Sequence, residues 1–204
     1  ISIIGEDAKE YLQNIITNDI NKVSKSKSVF AALLSPQGKY LFDFFVIKKD
    51  EGYIIDCNGN SLKEFVDNLS KYKLRSKVEI EDLSSNYVVG VMNFENFKLI
   101  QKELGNQETT LEFRESQIFV DPRDNDLGAR IISPLEKLYL TIKKLNLKIV
   151  ESNSYIKKAF LKGIPVEGLN NLQNQLFGLE INYEKLNAID FKKGCYVGQE
   201  NTAR

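Results

Sequence analysis

The chain contains no histidine. Nucleophile activation of the Ser-His-Asp and Cys-His kinds needs an imidazole within hydrogen-bond reach, so both are excluded. Zinc sites that use histidine are excluded with them. Acid–base work falls to carboxylates, lysine, tyrosine or a thiol. Cysteine is scarce as well: Cys57 and Cys195 are the only two, with no C-x-x-C, so neither a disulfide framework nor a closed structural metal site follows from this chain alone. A Cys57–Cys195 bridge stays open, against the reduced-compartment look of the composition. Net charge is also missing, because Lys+Arg and Asp+Glu number 28 each. No global field therefore draws the chain to nucleic acid or to an anionic membrane. Aromatic and basic residues are not interleaved, which further opposes direct RNA binding. No apolar run approaches the roughly 20 residues that span a bilayer. No charged-then-apolar signal opens the chain. The first residue is Ile1, so a leader removed upstream of it stays open.

What is present is a globular composition, 204 residues with 42% hydrophobic and 27% charged, enough for one large domain or two closely packed ones. Residues 1–4 read as a short strand stopped by Gly5. Asp7 is placed to cap a helix carrying Ala8, Tyr11, Leu12, Ile15 and Ile16 at helical spacing. A continuous apolar strand at 28–34, a Ser35-Pro36-Gln37-Gly38 turn, a strand at 40–47 and another at 53–57 follow as hairpins. Ser61 and Glu64 have capping-box spacing at the head of a helix with Leu62, Phe65, Val66 and Leu69 on one face. Strands at 77–83 and 87–92, a helix at 94–104 and a strand at 117–121 complete a β-β-α-β-β-α-β order from 39 to 121, the split pattern of ferredoxin-like α+β units. Helices are expected at 134–145 and 154–161, with Gly163 capping the second, and a loop at 170–178.

The densest group of special residues is Lys193-Gly194-Cys195-Tyr196-Val197-Gly198-Gln199-Glu200, preceded by Lys192. Neighbouring cations stabilise a thiolate, and flanking glycines let a backbone adopt conformations that other residues resist. The segment reads as a loop that presents a thiol. The bland alternative is a packed cysteine acting as a small hydrophobe. Gln199 and Glu200 either meet a ligand or simply hydrogen-bond the turn. Cys57, at a strand end, reads as core.

This octapeptide resembles the K-G-C-Y-x-G-Q-E signature of the YgfZ family, folate-binding relatives of the glycine-cleavage T protein GcvT. Other segments agree: Gly5-Glu6-Asp7-Ala8 with Thr17-Asn18-Asp19; Leu34-Ser35-Pro36-Gln37-Gly38-Lys39 with Asp43; Leu74, Arg75 and Lys77; Asp121-Pro122-Arg123 with Leu127-Gly128-Ala129-Arg130; and the ending Thr202-Ala203-Arg204. Gly163-Ile164-Pro165 with Glu167 resembles the G-I/V-P-E of the alphaproteobacterial and mitochondrial iron–sulfur assembly branch. The resemblance covers nearly the whole chain.

It implies an α+β GcvT/YgfZ-like N-terminal region, with ferredoxin-like units and mixed sheets around a central cavity. Residues 1–38 with 122–204 would form a first, discontinuous folate-binding domain, and 39–121 an inserted ferredoxin-like domain. The family's C-terminal β-barrel is expected to be absent from this chain, whether missing, cut or disordered. It further implies tetrahydrofolate as cofactor, no resident metal, and iron–sulfur enzymes or cluster carriers as partners, radical-SAM tRNA-modifying enzymes among them. Neither nucleic acid nor membrane would be a direct partner. The role would be assembly or repair of iron–sulfur proteins rather than classical catalysis, with Cys195 as the reactive thiol. One thiolate cannot hold a cluster, which usually takes four cysteine ligands, so other ligands would come from elsewhere. Folate's amino-pyrimidine edge suits a carboxylate, and its anionic tail suits arginine or lysine. Lys39, Asp43, Asn58, Arg75, Arg123, Arg130 and Glu167 are the candidates, with Tyr40, Phe42, Phe44 and Phe45 as possible walls or plain core. The competing reading is a folate-dependent aminomethyltransferase. Two departures oppose it: Leu161 stands where the T protein has a pterin-gripping glutamate, and Phe42-Asp43 where it has two aspartates. The Asn-, Lys- and Ile-rich style implies a bacterial cytoplasm, with the mitochondrial matrix as the alternative.

Overall fold

The computed structural model describes residues 1–202; Ala203 and Arg204, part of the terminal match, lie outside the described residues. Two antiparallel sheets form the frame. The first has strand order β2-β3-β4-β1-β5, built from β1 (Ser2–Ile4), β2 (Val29–Leu34), β3 (Tyr40–Lys49), β4 (Gly52–Cys57) and β5 (Glu79–Glu81). The second has order β6-β9-β8-β7, built from β6 (Val88–Met92), β7 (Thr110–Phe113), β8 (Ser116–Val120) and β9 (Ala129–Ser133). The helices are α1 (Ala8–Ile15), α2 (Leu62–Lys73), α3 (Phe94–Leu104), α4 (Leu135–Lys144) and α5 (Asn153–Leu161).

β2 is an unbroken apolar run because it is covered on both faces. Val29, Ala31 and Leu33, with Phe42, Phe44 and Val46 of β3, join a core that also takes Tyr11, Leu12 and Ile15 of α1 and Phe65 and Leu69 of α2. Phe30, Ala32 and Leu34, with Phe45 and Ile47, face a second core shared with Phe119 and Ile132 of the other sheet. A third core lies between that sheet and α3, centred on Phe97, Ile100, Ile118 and Ile131. The layers thus run helix, sheet, sheet, helix, with aromatic contact across the middle: the Phe45 and Phe119 rings are 5.4 Å apart.

The α+β expectation holds, and so do most elements, but the grouping of strands differs. The strands of 39–121 are divided between the two sheets, β3, β4 and β5 in the first and β6, β7 and β8 in the second. The boundary expected at 38/39 falls inside the β2–β3 hairpin, whose register runs Val29↔Val46 to Leu34↔Tyr40. Element order does not fix pairing partners, and β7 and β9, absent from the sequence reading, supply the missing neighbours for β6 and β8. Two caps also differ. Asp7 precedes α1, yet its carboxylate accepts from Lys77 N at 2.7 Å. Ser61 precedes α2 without capping it, its hydroxyl donating to the Asn58 carbonyl instead.

Candidate functional site

The covered middle layer opens into a cavity of about 720 Å³ lined from both sheets, α5 and the segment after it. That volume lies within the usual range for small-molecule pockets. The strand alternation that sends Phe42 and Phe44 to the first core turns Asp43 and Phe45 the other way. β4 contributes Asp56, β9 contributes Arg130, and the turn after β8 contributes Arg123.

The two arginines are heavily engaged. Arg123 makes a bidentate pair with Asp121, Nε to Oδ1 at 3.0 Å and Nη2 to Oδ2 at 2.7 Å, both side chains almost fully buried. Arg130 Nε donates to Asp56 Oδ2 at 2.7 Å. The Tyr155 hydroxyl on α5 accepts from Arg123 Nη2 at 3.0 Å and from Arg130 Nη1 at 3.5 Å. Both guanidinium carbons lie against the Phe45 ring, 4.8 and 4.7 Å from its centroid. Arg123 Nη1 and Arg130 Nη2 donate to no protein atom among the described residues.

Asp43 lacks a strong partner of its own. Tyr183, fully buried, donates its hydroxyl to Asp43 Oδ2 at a long 3.3 Å. Burial pushes the Asp43 carboxyl up to about 6, against the opposing pull of Arg123 and of the Tyr183 hydrogen bond. Asp121 is paired with Arg123 and Asp56 with Arg130, which leaves Asp43 without an ion-pair partner among the described residues. The same burial, with Asp43 beside it, holds the Tyr183 phenol well above its ordinary range.

Asp43, Asn58, Arg123, Arg130 and Glu167 therefore line one cavity, Glu167 on its exposed side. Asn58 is partly occupied, its Oδ1 accepting from Asn60 N at 2.9 Å. Lys39 and Arg75 are elsewhere. Lys39 Nζ donates to the Gln175 carbonyl at 2.9 Å and sits 3.7 Å above the Phe177 ring. Arg75 is exposed in a separate open groove with Asp7, Glu10 and Asn14. Tyr155, Tyr183, Asp56 and Asp121 were not among the sequence candidates. Only Asp121 had a signal, its D-x-R spacing with Arg123; the others are joined to the site by folding alone.

The octapeptide forms a second structure outside that cavity's lining. Cys195 is exposed and Cys57 half-buried, and both are free thiols. Burial pushes the Cys57 thiol up to about 12, in keeping with a core role. The expected pairing of Lys193 with the thiol is not what the side chain does. Lys193 is buried, and its ammonium donates to the carbonyls of Gln13, Ile16 and Asn18 at 2.7, 2.6 and 3.0 Å. Tyr196 is buried in the second core, and Val197 N donates to Asn14 O at 3.1 Å. Gln199 starts a short 3-10 turn, with Glu200 exposed.

Gly198 has φ +80°, and a Cβ there would meet Ser35 O at 2.4 Å and Gly38 Cα at 3.1 Å, because the octapeptide seats directly on the β2–β3 turn. Gly194 has open space in the same test. Gly198→Ala is expected to cost about 2–4 kcal/mol, combining left-handed strain with a backbone clash. Gly194→Ala should be within about 0.5 kcal/mol of native. Urea midpoints of the two variants check this; equal midpoints would contradict the docking.

Residues 1–93 match the family model described as GCVT N-terminal domain. Curated proteins named iron-sulfur cluster assembly factor IBA57 homolog, mitochondrial, match all of this chain. The one from Dictyostelium discoideum is 28% identical over 233 residues, with 56% of its length covered. The one from Pyricularia oryzae is 29% identical over 208 residues, with 51% covered. This chain thus spans about half the length of the curated relatives it matches. Among solved structures, the glycine cleavage system aminomethyltransferase T from Bartonella henselae superposes with a TM-score of 0.72 at 15% identity, covering 97% of this chain and 57% of that one. The fold is GcvT-like.

Proposed function

We propose that this chain is the folate-binding part of an iron–sulfur cluster assembly factor. The observation that carries the ligand class is the cavity: an aromatic wall, a carboxyl at Asp43 and two guanidinium groups, each with an N–H group free of protein partners among the described residues. Asp43 offers acceptors for an amino-pyrimidine edge, Phe45 and Tyr40 give an apolar wall, and Arg123 and Arg130 offer donors for the carboxylates of a folate tail. A reduced folate, when bound, carries one-carbon units; the residues named here bind and orient it. The assembly role rests on the curated relatives that match over the whole chain, with iron–sulfur proteins as partners and radical-SAM enzymes as the finer class. Their names say mitochondrial, which favours the mitochondrial reading over a bacterial cytoplasm.

Aminomethyl transfer has less support. Phe42 stacks on Phe65 with ring centroids 4.8 Å apart, leaving Asp43 as the hairpin's single acid. Leu161 is 79% exposed and lines none of the cavity, so no glutamate-like grip exists at that position.

Cys195 is assigned the thiol chemistry because it is the exposed cysteine of the two. The test is restoration of iron–sulfur enzyme activity in cells lacking their own assembly factor of this kind, using the full-length protein. The native protein should restore activity. Cys195→Ala should fail while its stability stays within about 1 kcal/mol of native. Full restoration by Cys195→Ala would remove the thiol from the proposal.

A further inference from the structure

α1 ends without a cation of its own. Its last turn carries no basic residue, and the chain beyond it, Ile16 to Asn18, is buried. The carbonyl end of a helix is the negative end of its dipole and leaves acceptors without intrahelical partners. Lys193, 175 to 180 residues away, supplies what is missing: all three ammonium protons are taken by Gln13, Ile16 and Asn18 carbonyls. Two neighbouring contacts repeat the attachment. Asp190 N donates to Thr17 O at 3.1 Å upstream, and Val197 N donates to Asn14 O downstream. Between these fixed points Gly194 and Cys195 stay exposed.

We propose that Lys193 is a positioning residue, which clamps the octapeptide on the C-terminal end of α1 and so keeps the Cys195 thiol in solvent. Lys193 reaches the thiol only through the loop backbone. The idea deepens the thiol assignment made above, but thiol accessibility and loop protection are measured without any iron–sulfur partner, so the two fail separately. Burial pulls the Lys193 ammonium down to about 8, partly offset by Asp19 and Asp190. The titratable groups facing it are Asp19 on the segment after α1, Asp190 on its own loop, already paired with Lys22 at 2.7 Å, and the Tyr196 phenol, whose ring centroid lies 4.9 Å from Nζ and which burial holds in its neutral form. From α1 itself the clamp receives carbonyl oxygens. Neutral lysine keeps two N–H donors for three carbonyls, so the clamp weakens as pH rises through that value.

The experiment is hydrogen exchange resolved at the Val197 and Asp190 amides, with iodoacetamide labelling of Cys195 followed by peptide mass spectrometry. In the native protein, protection of both amides should fall between pH 7 and pH 9 while β9 amides keep theirs. Lys193→Arg should hold protection across that range, because arginine stays charged. Lys193→Met should lose about tenfold or more of loop protection at pH 7, the order expected when charge-assisted hydrogen bonds are removed. Its Cys195 labelling rate should change in parallel. If Lys193→Met does not fold, the native and Lys193→Arg pH profiles decide alone. Identical profiles for those two, or native-like protection and labelling in Lys193→Met, would overturn the proposal.

Discussion

Asp121→Asn is expected to destabilise the protein by about 3–5 kcal/mol, because it strands a buried guanidinium. The Asp121 side chain is 1% exposed and that of Arg123 4%, so water cannot replace the lost carboxylate. Asp121 also accepts the Arg123 backbone N–H at 3.0 Å, which closes the turn after β8. Burial alone would depress the arginine; the Asp121 hydrogen bonds and charge outweigh it and hold the group above its ordinary range. Removing both charges together is a different matter. Asp121→Asn with Arg123→Met should recover part of the loss, since a buried pair replaced by packed apolar atoms is often close to neutral. A urea-unfolding double-mutant cycle measures the coupling. Additive losses would mean that the pair is not a unit.

The opposite sign is expected at Asp43. Its carboxyl is raised from 3.8 to about 6, so the folded state holds this proton more tightly than the unfolded chain. The stabilisation from that proton is complete below about pH 3.8 and is lost as pH rises through about 6. At pH 8 the ionised group is a burden, and Asp43→Asn should stabilise the protein by about 1–3 kcal/mol, on the scale of 1.36 kcal/mol per unit. The gain should shrink as pH falls from 8 to 4, which urea unfolding at several pH values will follow. A destabilised Asp43→Asn at pH 8 would mean that the carboxylate is structural. Retention of a destabilising acid in a cavity is the pattern expected of a functional group.

Much of the frame was legible because it rests on local periodicity. The α1 stripe of Tyr11, Leu12 and Ile15 and the β2–β3–β4 hairpins declare themselves, and their burial follows the pattern. What was illegible is what needs partners far along the chain. β7 and β9 escape a sequence reading because each is a short strand defined by its pairing partners, β8 for β7 and both β6 and β8 for β9. The octapeptide stands out in the sequence as a special segment, but the sequence does not give the role of Lys193. Sequence proximity places its charge beside Cys195, whereas the acceptors that capture it lie at the end of α1 and in the segment just after it. Lys39 and Arg75 show the same limit: a cation in a motif says nothing of which surface receives it. Tyr155 had no signal, since a tyrosine on an amphipathic helix reads as packing until the helix is laid over two arginines.

Calorimetric titration of tetrahydrofolate into the full-length protein tests the central claim most directly. The native protein should bind at micromolar ligand, more weakly as pH falls from 8 to 5 and Asp43 takes up its proton. Asp43→Asn, with one acceptor oxygen in place of two, should bind at least about tenfold more weakly despite its greater stability. No heat of binding at millimolar ligand, or equal affinity in the two proteins, would contradict the account.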